Sequence, residues 1–168
     1  MKRIGCCLLL IVILASCSSK NEQDKLNGEN IAVVQKYIKA VQEKDTKTMT
    51  DLLTDDYTGY GPSITDSVNK SQAIESWKEL SENLYDKIEY IKSVNVAAYV
   101  PDSYHPGNFV SNWAHLIIRY KDGRGPVEIY ANTSYRVENG KINLSRTIYD
   151  EADAMRQLGY RMVKESDE

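Results

Sequence analysis

The hydrophobic period of this chain changes once, near Ile88, and that change limits the fold more than any other feature. Upstream, Ile31, Val34, Ile38 and Val41 recur at helical spacing, with Lys36, Lys39 and Glu43 on other faces. Asp45 is placed to cap a second helix whose apolar side carries Met49, Leu52 and Leu53. Asn69 and Gln72 have the spacing of a capping box ahead of a third stripe, Ala73, Ile74, Trp77, Leu80 and Leu84. Downstream, the segments IEYIKSVNVAAYV, NFVSNWAHLIIRY, VEIYANTSYRV and KINLSRTIYD are rich in β-branched and aromatic residues and predict four strands. Lys121-Asp122-Gly123 and Glu138-Asn139-Gly140 supply the turn residues of antiparallel hairpins, so the last three strands form a meander. Helices followed by an antiparallel sheet give an α+β plan in which the helices cover one face of a curved sheet. A short helix over 151–158 closes the chain.

One strand is apolar on both faces, with Trp113 and Ile117 on one and Ala114, Leu116 and Ile118 on the other. Such a strand is covered on both sides. The helices cover one face. The other meets either a second copy, in a sheet-to-sheet dimer, or the chain's own loops and termini.

The N-terminus begins MKRIGCCLLLIVILASC, a basic pair and a short apolar run before small residues and a cysteine. This is the layout of a secretory signal, and the run is shorter than the about 20 apolar residues of a membrane span. Leu14-Ala15-Ser16-Cys17 resembles the lipobox of bacterial lipoproteins, which implies a signal over 1–16 and diacylglycerol on the Cys17 thiol. Ordinary cleavage with an unmodified cysteine is the alternative. Acyl chains contribute about 0.8 kcal/mol per buried methylene, so such a chain is held at a membrane through its anchor alone. Cys6 and Cys7 fall within the signal, which leaves the mature chain no disulfide framework. Residues 17–28 are polar and read as a flexible lipidated tether, and 29–168 suit one domain in the bacterial cell envelope, periplasmic or surface-exposed.

Removing residues 1–16 takes away two cations and no acids, moving the net charge from −3 to −5. Lys and Arg are scattered, which argues against a nucleic-acid surface. No Walker loop, GxGxxG, GxSxG or zinc-spaced cysteine pair occurs, and no cofactor or metal site is indicated. The two histidines, His105 and His115, lie in a Pro- and Gly-rich loop and in a strand. For His115 the expected place is the rim or an interface of the sheet.

The helix AVVQKYIKAVQEKD, the acidic DDY, the Pro62 loop, the Trp77 helix and the ending NGKINLSRTIYDEADAMRQLG together resemble the nuclear transport factor 2-like superfamily, especially its SnoaL-like and ketosteroid-isomerase-like branches. The resemblance covers nearly all of residues 29–160. It implies a cone-shaped α+β roll, a curved sheet wrapped around a long helix, with an apolar pocket opening at one end. Carried over by position, the isomerase branch's oxyanion tyrosine falls on Tyr37. Its catalytic aspartate falls on Gly61, and its second oxyanion acid on Thr133, which is also a histidine position of the cyclases. The cyclases' aspartate falls on Thr147. Threonine hydroxyls titrate far from neutral pH and glycine holds no proton, so the known catalytic sets of both branches are absent.

With the family's inward register, Leu116, Ile118, Ala131, Thr133, Tyr135, Ser145, Thr147 and Tyr149 face the cavity, and Ile142, Leu144 and Ile148 face out. Tyr57 and Tyr60, with flexible Gly59 and Gly61 and the turn-setting Pro62, form its wall or lip, or else a surface loop packed on the helices. Tyr37 and Trp77 complete the expected pocket, Tyr37 being otherwise a core residue. An apolar lining with hydroxyls suits a small apolar or amphipathic ligand. The rival is an enzyme that pairs Tyr37 with an acid or base elsewhere, such as Asp56 or His115. A third reading is an interaction module with a filled cavity.

Overall fold

The computed structural model describes residues 4–101 and 105–163, with side chains from residue 21 onward. Cys17 therefore lies outside the residues whose side chains are described. Helix α1 spans Ile4–Glu43 and ends where Lys44 takes a left-handed φ of 59°. Asp45 then caps α2 (Thr46–Leu52), accepting from the Thr48 backbone N–H at 2.9 Å and the Thr48 hydroxyl at 2.6 Å. β1 (Leu53–Tyr60) and β2 (Ser67–Asn69) follow. The expected capping box of Asn69 and Gln72 opens α3 (Lys70–Glu79), which runs out through a wide π turn, Leu80–Leu84. Four long strands come next: β3 (Tyr85–Val100), β4 (Gly107–Tyr120), β5 (Val127–Glu138) and β6 (Lys141–Tyr149). α4 (Glu151–Gln157) closes the described chain. Among the described residues no helix is long and apolar enough to cross a membrane.

The six strands form one sheet in the order β2-β1-β6-β5-β4-β3, antiparallel except where β1 runs parallel to β6. The meander thus has four strands rather than three. Asn139 and Gly140, both at positive φ, close the tight β5–β6 hairpin. The β4–β5 connection is longer than the tight turn expected of Lys121-Asp122-Gly123, because β5 resumes only at Val127. Register shifts at Ile91 in β3 and Asn143 in β6 bend the long strands, and the sheet curls over α1.

Two differences from the sequence reading matter. The stretch after Leu53, expected as a loop, is strand β1, and its acidic Asp55 is paired with Lys70 Nζ at 2.9 Å, which also donates to the Leu53 carbonyl at 3.0 Å. In addition, the segment expected as a tether is helical where described. Its Gln23 amide donates to Asn108 Oδ1 at 3.3 Å, and Asn30 is buried against the sheet side of the helix. Helix α1 is polar there, and Gln23 finds its partner at the end of β4.

Apolar side chains gather in two clusters. Val34, Ile38, Val41, Met49, Leu53, Val110, Val137 and Ile142 close one end. Ala114, Leu116, Val127 and Ile129, with Tyr149 and Leu158 packed against them, line the other. A cavity lies between.

Candidate functional site

The cavity encloses about 640 Å³ and opens beside exposed Pro62, Asp66, Glu151 and Met155. Each strand delivers alternate side chains to it. Leu116 and Ile118 come from β4, Ala131, Thr133 and Tyr135 from β5, and Ser145, Thr147 and Tyr149 from β6. The pairings Thr133 with Thr147 and Tyr135 with Ser145 place like-facing residues side by side, and the two threonine hydroxyls meet at 3.0 Å. The expected inward register holds for these three β6 positions. It fails at Ile142, which is fully buried in the core rather than facing out. The extra residue Asn143 causes this: Val137 pairs with Ile142 and Arg136 with Leu144, so the strand reverses its facing across one bulge. Asn143 Nδ2 anchors the bulge on Glu138 Oε2 at 2.8 Å.

Tyr57 and Tyr60 of β1 line the wall, and Tyr57 Oη lies 2.7 Å from Ser145 Oγ across the parallel pair. Gly59 and Gly61 have no positive φ, so flexibility does not account for them. A Cβ on Gly59 would sit 2.6 Å from Tyr57 Oη, and one on Gly61 would sit 3.2 Å from Asp66 Oδ2. A side chain would crowd its neighbour at both positions, more severely at Gly59.

Tyr37 projects from α1 beneath the sheet, 5 % exposed, its ring meeting that of Tyr135 edge to face at 6.0 Å. Trp77 reaches the same lining from α3. Burial, and then the neighbouring phenols of Tyr57 and Tyr90, raise the Tyr37 pKa far above the ordinary tyrosine value. Burial likewise pushes Tyr90 and Tyr85 up to about 12 and raises Tyr135 and Tyr57. These phenols stay neutral hydrogen-bonding groups at neutral pH.

All eleven residues expected at the pocket therefore line one cavity: Tyr37, Tyr57, Tyr60, Trp77, Leu116, Ile118, Thr133, Tyr135, Ser145, Thr147 and Tyr149. The two candidate proton-transfer groups lie elsewhere. Asp56 is exposed outside the lining. His115 points to the outer face of the sheet, with Nε2 2.6 Å from Glu128 Oε1 and its ring against Tyr130. Glu128 is thirteen residues away in sequence, and only strand pairing brings it near.

Sequence reasoning missed Tyr85, Tyr90, Asn112 and Tyr120 in the lining, and Asp66 and Glu151 at its rim. Alternation from Ile88 to Tyr90 carried the signal for Tyr90. Asn112 is buried and donates to Ser93 Oγ at 2.7 Å and Asn95 Oδ1 at 3.0 Å, a polar cluster that appears only once β3 is paired with β4. Among the described residues no three His, Cys, Asp or Glu side chains converge as metal ligands.

On the outer face of the sheet Val94, Trp113 and Ile148 share one cross-strand row, with Asn132 between Trp113 and Ile148. Trp113 is 51 % exposed and Ile148 56 %. Among the described residues no loop or terminus covers it.

No protein-family model and no curated protein matches the chain. Solved structures do match. A nuclear transport factor 2-like protein of Burkholderia xenovorans superposes with a TM-score of 0.60 at 16% identity, over 79% of this chain and 97% of that one. A protein with a ketosteroid isomerase-like fold from Catenulispora acidiphila, solved in complex with trimethylamine, gives 0.60 at 15% identity over 77% and 93%. An epoxide hydrolase of M. tuberculosis, of the LEH-like type, gives 0.55 at 18% identity over 79% and 90%. At these identities the likeness establishes the fold: an α+β roll of the nuclear transport factor 2-like kind.

Proposed function

We propose that this chain is an exported protein, lipid-anchored through Cys17 to a membrane of a bacterial envelope, which holds a small apolar or amphipathic molecule in the cone cavity without transforming it. One observation carries the binding reading: a cavity of about 640 Å³ whose lining combines aliphatic and aromatic walls with hydroxyls and, among the described residues, contains no Lys, Arg or His. That volume is within the range of small-molecule sites, and burial plus a few oriented hydrogen bonds suffices to hold a ligand there. The positions at which the resembling enzyme branches carry acids are Gly61, Thr133 and Thr147, and none can exchange a proton near neutral pH. The exposed Val94, Trp113 and Ile148 on the outer face support a homodimer through the sheet.

A catalytic reading has one observation of its own. The Asp66 carboxylate reaches within 3.2 Å of the point where a side chain at position 61 would begin, so an acid approaches the vacant place from five residues away. In this reading Asp66 works with Tyr37.

Native mass spectrometry of the protein purified gently from its host separates these readings. A retained small molecule, recovered unchanged after incubation, supports binding. Conversion of that molecule, abolished by Asp66→Asn, replaces the binding reading with the catalytic one. A ligand-free dimer would remove both and leave an interaction module.

A further inference from the structure

The cavity walls are uneven in their chemistry. Tyr37 and Tyr135 meet edge to face, and near the mouth Tyr85 and Tyr120 do the same at 5.4 Å. In an edge-to-face pair the ring presenting its edge keeps its faces for other contacts, and those faces carry the negative side of the ring quadrupole. Tyr90 and Trp77 add further rings to the same lining. Among the described residues the formal charges in the lining are carboxylates, Asp66 and Glu151, both exposed at the rim. An anion entering here meets aromatic walls and acids and, among the described lining residues, no cation. A cation meets the opposite.

The protein already uses these rings in that way from outside. Arg146 lies over the Tyr60 ring at 4.7 Å, and Arg124 over Tyr120 at 5.7 Å. Neither guanidinium belongs to the lining.

We infer that the cavity takes an organic cation, a quaternary or tertiary ammonium head carried on an apolar chain or ring. This rests on the binding reading and specifies its ligand class. A primary ammonium is a compact, strongly hydrated charge whose transfer into such walls is costly unless several acceptors replace its water. Methylated ammonium spreads its charge over apolar groups, gives up less hydration, and is the cation that aromatic walls recognise best. The rim carboxylates raise its local concentration, and the aliphatic inner surface of Leu116, Ile129 and Val127 receives the tail.

The test compares three soluble probes that share a hexyl chain, hexyltrimethylammonium, 1-hexanol and hexanesulfonate, titrated calorimetrically into the full chain. Binding of the ammonium at least tenfold tighter than hexanol, with the sulfonate weakest, is the expected result. Equal or tighter binding of hexanol overturns the cation assignment and leaves the binding reading standing. No heat or displacement with any of the three removes both. Tyr90→Phe keeps the ring and is expected to keep the ammonium affinity, whereas Tyr90→Leu is expected to lower it about tenfold without lowering that for hexanol. Glu151→Gln, at an exposed position, is expected to weaken the ammonium two- to threefold and to flatten its salt dependence. An ammonium affinity unmoved by both Tyr90→Leu and Glu151→Gln overturns the inference.

Discussion

Tyr57 Oη and Ser145 Oγ lie 2.7 Å apart and tie β1 to β6 along the wall of the cavity. Tyr57 is almost wholly buried, so its hydroxyl depends on this partner. Tyr57→Phe keeps the ring and removes the bond, and is expected to lower stability by about 1 kcal/mol, read as a shift of the urea midpoint with an unchanged slope. An unchanged midpoint would mean that the bond contributes nothing in solution.

Gly59 and Gly61 are separated by one residue and differ in what surrounds them. A methyl at Gly59 drives against the buried Tyr57 ring, so Gly59→Ala is expected to cost about 1–3 kcal/mol and to perturb the near-ultraviolet dichroism of the tyrosines. At Gly61 the nearest atom is Asp66 Cβ at 3.1 Å, on an exposed turn that need give only slightly, so Gly61→Ala is expected to cost less than Gly59→Ala, about 0.5–1 kcal/mol. Reversal of that order would refute the steric account of both glycines.

Thr147 faces the cavity opposite Thr133. Thr147→Trp fills space that a ligand needs, and is expected to weaken binding of any ligand recovered with the protein more than tenfold while the fold persists by far-ultraviolet dichroism. Unchanged affinity would place the ligand outside this cavity.

Alkali tests the buried phenols. Tyr90 is pushed up to about 12 by burial, so between the ordinary tyrosine value near 10 and 12 the unfolded chain loses its proton and the folded chain keeps it. The stability associated with the neutral folded phenol is thus fully present below about pH 10 and declines by about 1.4 kcal/mol per pH unit for Tyr90 as pH rises toward 12. Tyr37, Tyr57, Tyr85 and Tyr135 shift in the same direction and steepen the decline. Phenolate absorbance from these residues is expected to rise together with unfolding. Smooth ionisation in a folded chain would show the cavity to be wetter than its geometry indicates.

Trp113 stands half exposed at the centre of the outer sheet face, paired across the strands with Val94. If two copies meet there, Trp113→Glu puts a charge into the apolar centre of the contact and is expected to convert the dimer to a monomer in light scattering, with ligand binding retained. A parent that is monomeric at high micromolar concentration would remove the dimer from the proposal.

Local signals determined much of this protein. The spacing of Val34, Ile38 and Val41 is enough to define a buried helix face, Asn69 with Gln72 to start α3, and Asn139-Gly140 to turn β5 into β6, because each acts within a few residues. Period-two alternation grouped Thr133 with Tyr135 and Ser145 with Thr147 and Tyr149, and the resemblance implied which group faces the cavity. Tertiary structure alone decided that Asn143 would bulge and turn Ile142 into the core, since a bulge is a negotiation between two strands and the cluster beneath them. It also made a strand of residues 53–60, whose hydrogen bonds are supplied by β6 and β2, brought alongside by the sheet. His115 found Glu128 only when β4 and β5 were laid side by side. The chemistry of a cavity is set by what lies across it, and the chain by itself lists those residues without saying which will face one another.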